Sequence, residues 1–442
     1  MSKTWLKTIA ALAASLFLLS CWQNGNQEGS SVPEVKGFEL LSHIPSDACG
    51  VIVCDKTATG IENIMDNRSV FREFSYGALA DSRMVISFHF QGELIPMLAI
   101  DAGRTQTAIK QATPVMEAAA EFGLQSRLVA APAKKRGGNR SVLLLSPSEP
   151  LIDAAERHLE AHTSVLEVEG LKEALEKAPS KGDVVIFRND AIANILPKNF
   201  LSKYVTRRQL TGFIKGWSDW TVLHLTGSEA AGKGVYLSYD VRTVHPEDYS
   251  KAVKVYEDQG YGESKIPDII PQGTTYVVDL PLSSVETFIE SRKKNLDAGA
   301  GLNKFVNTCA QLKKNTGVDP VKWAIETDIK EIAKIQWKDE EVLIIRPAKP
   351  LVSHNVRYNS HRGFATTLFG QGFSLADDSH AACIGNWLIM GSESAVKHFM
   401  ASEVRQKLHY WPTKNVKAIV LADDCQLAWT RSELRFDVYR TY

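Results

Sequence analysis

Apolar positions along the chain repeat at two periods, and the order in which the periods occur is repeated once. Gly50-Val51-Ile52-Val53-Cys54 is a short apolar run of strand length, and Ile61, Ile64 and Met65 follow at i, i+3 and i+4, the spacing of one helix face. Arg83 to Phe90 and Leu94 to Ile100 read as two strands joined at Gln91-Gly92-Glu93, with glycine at the bend. A helix is expected from Thr105 to about Gly123, with Pro114 as an alternative start for a second segment. Beyond the turn Gly137-Gly138-Asn139 comes strand Ser141 to Leu145. Ser148 then stands as helix cap and Pro150 as an early residue of a helix Leu151 to His162. A helix Gly170 to Ala178, a strand Asp183 to Arg188 and a hairpin of Trp220 to Leu225 with Gly234 to Asp240 complete the series.

The second series starts at Ile270-Pro271, as the first starts at Ile44-Pro45. Val277, Val278 and Leu280 predict a strand, and Val285, Phe288 and Ile289 repeat the helical spacing. Ile332 to Trp337 and Val342 to Ile345, bent at Lys338-Asp339-Glu340, match the first hairpin. Asn386 to Glu393, followed by Ala395, Val396 and Phe399, matches Val142 to Ala155, including the Ser-Glu pair that starts the helix. Val416 to Asp424 matches Gly182 to Asp190, and Gln426 to Trp429 with Leu434 to Tyr439 matches the closing hairpin. The expectation is an α+β protein of two similar halves, 38–256 and 266–442, each a mostly antiparallel sheet with helices packed on one face. The polar stretch Glu257 to Gly262 marks the boundary, and the two sheets are expected side by side with their edge strands buried against each other.

Length agrees with more than one core, since 442 residues exceed what a single one usually serves. With 51 basic and 51 acidic residues the net charge is zero, so no long-range field draws the chain to nucleic acid.

The N-terminus carries the most specific signal. Lys3 and Lys7 precede an apolar run, Ile9 to Leu19, of the length of a signal-peptide core and too short for a spanning helix. It ends in Leu18-Leu19-Ser20-Cys21, which resembles the lipobox of bacterial lipoproteins. That resemblance implies cleavage before Cys21, so that 1–21 is signal peptide and lipobox, and a diacylglyceryl group on the Cys21 sulfur. Leu19 departs from the small or β-branched residue usual there. The tract 22–37, rich in Gln, Asn, Gly and Ser, has little to bury and reads as a flexible tether. Trp22 gives no inner-membrane retention cue, so the expected location is the outer membrane, facing periplasm or cell surface.

Candidate chemistry is sparse. Cys49, Cys54, Cys309, Cys383 and Cys425 show neither a CxxC pair nor zinc spacing, and they read as buried thiols. Gly227 to Gly234 has the glycine and lysine spacing of a phosphate loop, but glycine replaces the required Ser or Thr and a strand follows; it reads as a hairpin turn. His158 and His162 share a helix face without a third ligand. Asp377-Asp378 and Asp423-Asp424 read as turn or cap residues, Ser291 to Lys294 satisfies Ser-x-x-Lys without companion motifs, and Lys134-Lys135-Arg136 is a small basic loop. The polar loop carrying His354, Arg357, His361 and Arg362 is the first place to look for a ligand. No cofactor or metal is implied.

The lipobox with two Ile-Pro-led strands, and Gly391-Ser392-Glu393-Ser394-Ala395 after an apolar strand, resembles bacterial envelope lipoproteins built from duplicated domains of unknown function. The resemblance spans most of 40–442 through structural motifs and brings no catalytic residues. Two readings of function stand. One is a non-catalytic lipid-anchored module that binds or scaffolds an envelope protein or glycan. The alternative is a periplasmic hydrolase with residues contributed by both halves.

Overall fold

The computed structural model describes residues 38–57, 77–121, 123–130, 140–161, 163–178, 183–195, 215–230, 235–349, 355–402, 411–422 and 425–439. The lipobox, the tether, the helix expected at Ile61 to Met65, the basic loop at 134–136, His162, His354 and Asp423-Asp424 lie outside them.

The first strands are β1 (Gly50–Cys54), β2 (Met84–Phe90) and β3 (Leu94–Arg104), followed by helix α1 (Thr105–Glu121). Next come β4 (Gln125–Ala130), β5 (Arg140–Ser146), α2 (Glu149–Glu160), α3 (Leu171–Lys177), β6 (Val184–Arg188) and α4 (Asn189–Ile195). A hairpin of β7 (Trp220–Ala230) and β8 (Val235–Val244) leads to α5 (Val253–Asp258) and the short β9 (Gly262–Glu263). Then follow β10 (Thr274–Pro281), α6 (Val285–Ala298), α7 (Leu302–Thr316), α8 (Pro320–Thr327), β11 (Ile329–Trp337) and β12 (Glu340–Pro347). The chain finishes with β13 (Arg357–Tyr358), α9 (Phe364–Phe369), β14 (His380–Ile384), β15 (Trp387–Gly391), α10 (Glu393–Ala401), β16 (Lys414–Ala422), β17 (Cys425–Thr430) and β18 (Leu434–Tyr439).

All eighteen strands belong to one sheet and every pairing is antiparallel. Reading across it, the first strands run β4-β5-β3-β2-β1-β6-β7-β8. β8 pairs with β18, Asp240 opposite Arg435 and Tyr239 opposite Phe436. From there the order is β18-β17-β16-β10-β11-β12-β15-β14-β13, with β9 also on β16. The expectation of two separate sheets is corrected: the edges that were to be buried side by side are hydrogen-bonded into one continuous open sheet, which removes two exposed edges.

Helices cover both faces of that sheet, so the expectation of one covered face is also corrected. Strand side chains alternate, and because the strands are central both sets are apolar. On one face, Ile52, Ile86 and Ile100 pack under α1 through Ala108, Ala112 and Ala119. Further along that face, Val278, Ile332, Leu343 and Val420 pack under α6 and α9 through Phe288, Ile289, Leu368 and Phe369. The core on this side crosses the β8–β18 junction, because Leu223 and Val241 join it from β7 and β8. On the opposite face, Val51, Val85, Leu144 and Val222 pack under α2 and α3, and Val277, Ala333, Ile344 and Ile389 under Phe399 of α10. Each Val, Ile or Phe so buried contributes about 2 kcal/mol.

Local signals explain the helix starts. Ser392 accepts a hydrogen bond from the Ala395 amide at 3.1 Å, and Ser284 from the Thr287 amide at 3.2 Å. Asp319 caps α8, with Pro320 at its first turn. Ser148 precedes α2 as expected but does not cap it, since its hydroxyl donates to Gln91 Oε1 at 3.2 Å. α1 runs through Pro114 without a second start.

The connector between β8 and β10 is held by charge. Lys417 of β16 is buried, and its ammonium donates to the carbonyls of Tyr256 (3.1 Å) and Glu257 (2.9 Å), which are last-turn acceptors of α5. Glu257 also bridges His245 Nε2 at 3.1 Å and Lys254 Nζ at 3.0 Å.

Candidate functional site

The loop picked out from its polar composition is an ordered corner built around Asp378. That carboxylate accepts from the Gly363 amide at 2.6 Å and from Arg362 Nε at 3.2 Å, while Asp377 accepts from the Ser379 amide at 2.8 Å. Asn359, buried, donates from its side chain to the Asp378 carbonyl at 2.8 Å. The paired aspartates are therefore turn residues. Two residues of strand, β13, then lie against His380 and Ala381 at the margin of the sheet.

Of the four residues proposed there, Arg357, His361 and Arg362 fall within one short stretch and His354 lies outside the described residues. His361 stacks on Trp323 of α8 with ring centroids 5.2 Å apart and meets Phe364 edge-on at 5.1 Å. Burial lowers its pKa below the usual histidine value, and the positive Arg357 pushes the same way, so the ring is neutral at pH 7. Arg362 is committed to Asp378 and lies 6.0 Å from the Tyr358 ring. Arg357 is exposed and makes no hydrogen bond or ion pair among the described residues. Tyr358 is 64% exposed. The corner thus presents one uncommitted guanidinium, a second arginine and an exposed phenol that accepts from Arg362 Nη1 at 3.4 Å, beside an indole–imidazole stack. Such a surface suits a partner with negative charge and flat or sugar-like faces. Trp323 was missed in the sequence because α8 lies more than thirty residues earlier and its contact with the loop is purely tertiary.

Other sequence candidates separate. Ser291 donates to Asp258 Oδ2 at 2.9 Å and Lys294 to the Tyr249 hydroxyl at 3.1 Å, so the Ser-x-x-Lys pair does not meet. His158 Nδ1 lies 2.6 Å from the Thr163 carbonyl. β7 and β8 pair as a hairpin across the glycine-rich turn. Among the described residues no group of three His, Cys, Asp or Glu is placed to hold a metal. Cys49, Cys54 and Cys383 are free and buried, and burial pushes the thiol pKa of Cys49 up to about 11.

Two constellations were not legible as motifs. In the first, His89 Nδ1 lies 2.9 Å from Asp47 Oδ1 and its Nε2 lies 2.9 Å from Ser87 Oγ. Ser87 and His89 share a strand face at i, i+2, and the His89 hydrogen bond holds the Asp47 carboxyl below the usual range. The order matches an acid–base–nucleophile relay, yet Ser87 and His89 are closed to water and only Asp47 reaches the surface. Ser87 also lies 3.3 Å from the Met97 carbonyl. A nucleophile needs an approach path, and the serine end has none; the arrangement fixes the Asp47 turn to β2.

In the second, Asp279 of β10 and Glu331 of β11 stand diagonally on one sheet face, both fully buried. Ser264 Oγ donates to Asp279 at 2.6 Å and receives from Trp411 Nε1 at 2.9 Å. Glu331 accepts from the amides of Lys265 (2.8 Å) and Ile266 (3.0 Å) and from Arg346 Nε (2.7 Å). Burial raises the pKa of Asp279 well above the carboxylate range, and the Glu331 charge adds to that, so Asp279 is protonated. Arg346 and the amides keep Glu331 the charged member. The pair staples 263–266 to the sheet, and no substrate could reach it without lifting that segment.

Among the described residues no helix is long and apolar enough to cross a membrane. No family model, no curated protein and no solved structure matches the chain.

Proposed function

We propose that the protein is a lipid-anchored bacterial envelope lipoprotein, a non-catalytic module that binds an envelope protein or glycan through the corner formed by Arg357, Tyr358, His361 and Arg362. The anchor is the Cys21 sulfur, and the lipobox Leu18-Leu19-Ser20-Cys21 with the polar tract after it supports that part of the reading. The reading places it at the outer membrane, Trp22 standing where a retention signal of the Asp type would be. Arg357 carries the binding part: an exposed guanidinium without a side-chain partner among the described residues, next to the exposed Tyr358, costs nothing in water and is available for a negative group.

The same proposal includes a duplication, with 38–256 and 266–442 as copies. Supporting it, β4-β5-β3-β2-β1-β6-β7-β8 and β14-β15-β12-β11-β10-β16-β17-β18 list corresponding strands in the same spatial order. A helix also follows the corresponding strands β5 and β15, α2 after the first and α10 after the second, on the same sheet face.

The test separates anchor from binder. Metabolic labelling with a fatty-acid analogue, followed by fractionation, should show label and membrane recovery in the wild type and neither in Cys21→Ala. Crosslinking in intact cells should give an adduct with wild type that falls at least tenfold in Arg357→Glu. An unlabelled, aqueous wild-type protein ends the anchor reading, and an unchanged adduct in Arg357→Glu ends the assignment of the corner.

A further inference from the structure

Arg292, on the middle of α6, is the most unusual charge in the protein. Its Nε is sealed from water and has no acceptor, and no hydrogen bond or ion pair to the rest of the guanidinium exists among the described residues. The side chain is only half-buried overall, so the terminal nitrogens still reach solvent while the inner part of the group does not. Burial lowers its pKa.

The setting leaves the donor edge free. A Cβ on Gly370 would lie 3.0 Å from Nη1, 3.4 Å from Nη2 and 3.5 Å from Cζ, nearer both terminal nitrogens than the central carbon, so a side chain there would stand obliquely off the terminal-nitrogen edge and glycine keeps that space open. Gly370 has φ +97, a conformation glycine adopts without strain, and it stands just past α9. The apolar side is made by Phe288, which stacks on Phe369 at 5.6 Å and meets Tyr256 edge-on at 5.5 Å. Elsewhere in this fold, buried cations are answered: Lys417 by two carbonyls and Arg346 by Glu331. A guanidinium kept in an apolar crevice without an acceptor costs stability that a methionine of similar stem would not. Residues that break such a rule are the ones to suspect of a function.

We infer that Arg292 is a receptor for one oxyanion group, a carboxylate or a phosphate, held on its terminal nitrogens in the crevice between α6, α9 and α5. Two parallel donors on a rigid fork fit either group side-on. This site lies at the C-terminal end of α9, whereas the Arg357 corner lies at its N-terminal end, so it stands independently of the proposed binding function.

The experiment uses the full-length chain and thermal unfolding in chloride, acetate or inorganic phosphate at matched ionic strength. Wild type should gain roughly 2 °C or more in acetate, in phosphate or in both, relative to chloride, and the responding anion identifies the group. Arg292→Met should lose that gain and should melt no lower than wild type in chloride. Arg292→Lys keeps the charge but not the fork and should retain the chloride melting point with a gain at most half as large. Lys314→Met, an exposed lysine on α7, should respond as wild type does. The inference is overturned if neither anion moves wild type, if Arg292→Met keeps the gain, or if Arg292→Met melts lower or fails to fold, since a purely structural arginine predicts that loss.

Discussion

Asp279 and Glu331 stand diagonally across β10 and β11 in a space closed to water, and of the two carboxyls it is Asp279 that stays protonated, its Oδ2 accepting from Ser264 at 2.6 Å. Because the folded pKa of Asp279 lies well above its unfolded value, its contribution to stability is fully present below the unfolded pKa and is lost as pH rises. Asp279→Asn keeps an acceptor for Ser264 and a neutral side chain beside Glu331 without a titrating proton. It should stabilise the fold by about 1 kcal/mol at pH 8 and give little at pH 4. Glu331→Gln instead leaves Arg346 without its carboxylate and should cost about 3 kcal/mol. Urea midpoints at the two pH values distinguish these outcomes; a destabilised Asp279→Asn at pH 8 would contradict the protonated state.

His43 predicts acid sensitivity in the first part of the chain. It is buried between the 3-10 turn Glu39–His43 and the sheet, and burial lowers its pKa to about 4. The neutral ring is the folded form, so stability is whole above 6.5 and falls as pH drops toward 4. At about 1.4 kcal/mol per pH unit the full loss is about 3 kcal/mol. His43→Phe should flatten the urea midpoint between pH 7 and 4.5; an unchanged pH profile would show that His43 is not the group responsible.

The His245–Glu257–Lys254 cluster predicts an upper limit as well. Burial alone would lower the His245 pKa, but the Glu257 hydrogen bond and charge together with the Pro246 carbonyl outweigh it and the value is raised. Stability from that shift is full below the unfolded histidine pKa and is lost as pH rises through the folded one. Burial pushes Glu257 up, and its bonds to His245 and Lys254 outweigh that and lower it, so its share is lost as pH falls below about 4.5. Glu257→Gln should cost about 2 kcal/mol at pH 6 and less at pH 9. Denaturation followed by circular dichroism at both pH values provides the check.

Gly170 precedes α3 with φ +79, and a Cβ there would lie 2.8 Å from the Trp220 ring, whose Nε1 donates to the Glu169 carbonyl at 2.9 Å. Gly170→Ala combines backbone strain with overlap on a buried indole that cannot move aside. A loss of about 3 kcal/mol is expected in the urea midpoint, and a loss under 1 kcal/mol would show that Trp220 has room to shift.

The positions of many strands and helix starts were legible in the sequence because they depend on local signals: the apolar run Val277 to Leu280, the Ser392-Glu393 helix start, the turn at Lys338-Asp339. The helix series 285–327 was legible only at its start. α7 buries one residue fully, Phe305, so its apolar stripe is too thin to show a period. β4 was missed because at the margin of the sheet only Val129 is fully buried. The placement of helices on both faces was hidden because central strands are apolar throughout, and alternation then carries no direction. Arg357, His361 and Arg362 were found by loop composition, but what organises them, Asp378 and Trp323, joins them only through the fold. Arg292 was passed over as part of a Ser-x-x-Lys match, since nothing in a sequence shows that a guanidinium will lack an acceptor.

The seam between β8 and β18 sets a schedule for folding. β8 is finished at Val244, yet the strand that covers its outer side begins only at Leu434. Throughout that interval the growing polypeptide carries a ready strand whose outer side is uncovered, open to any extended segment that drifts past. β18 therefore acts as a lock: a polypeptide cut short before Leu434 keeps most of its core and carries an adhesive flank.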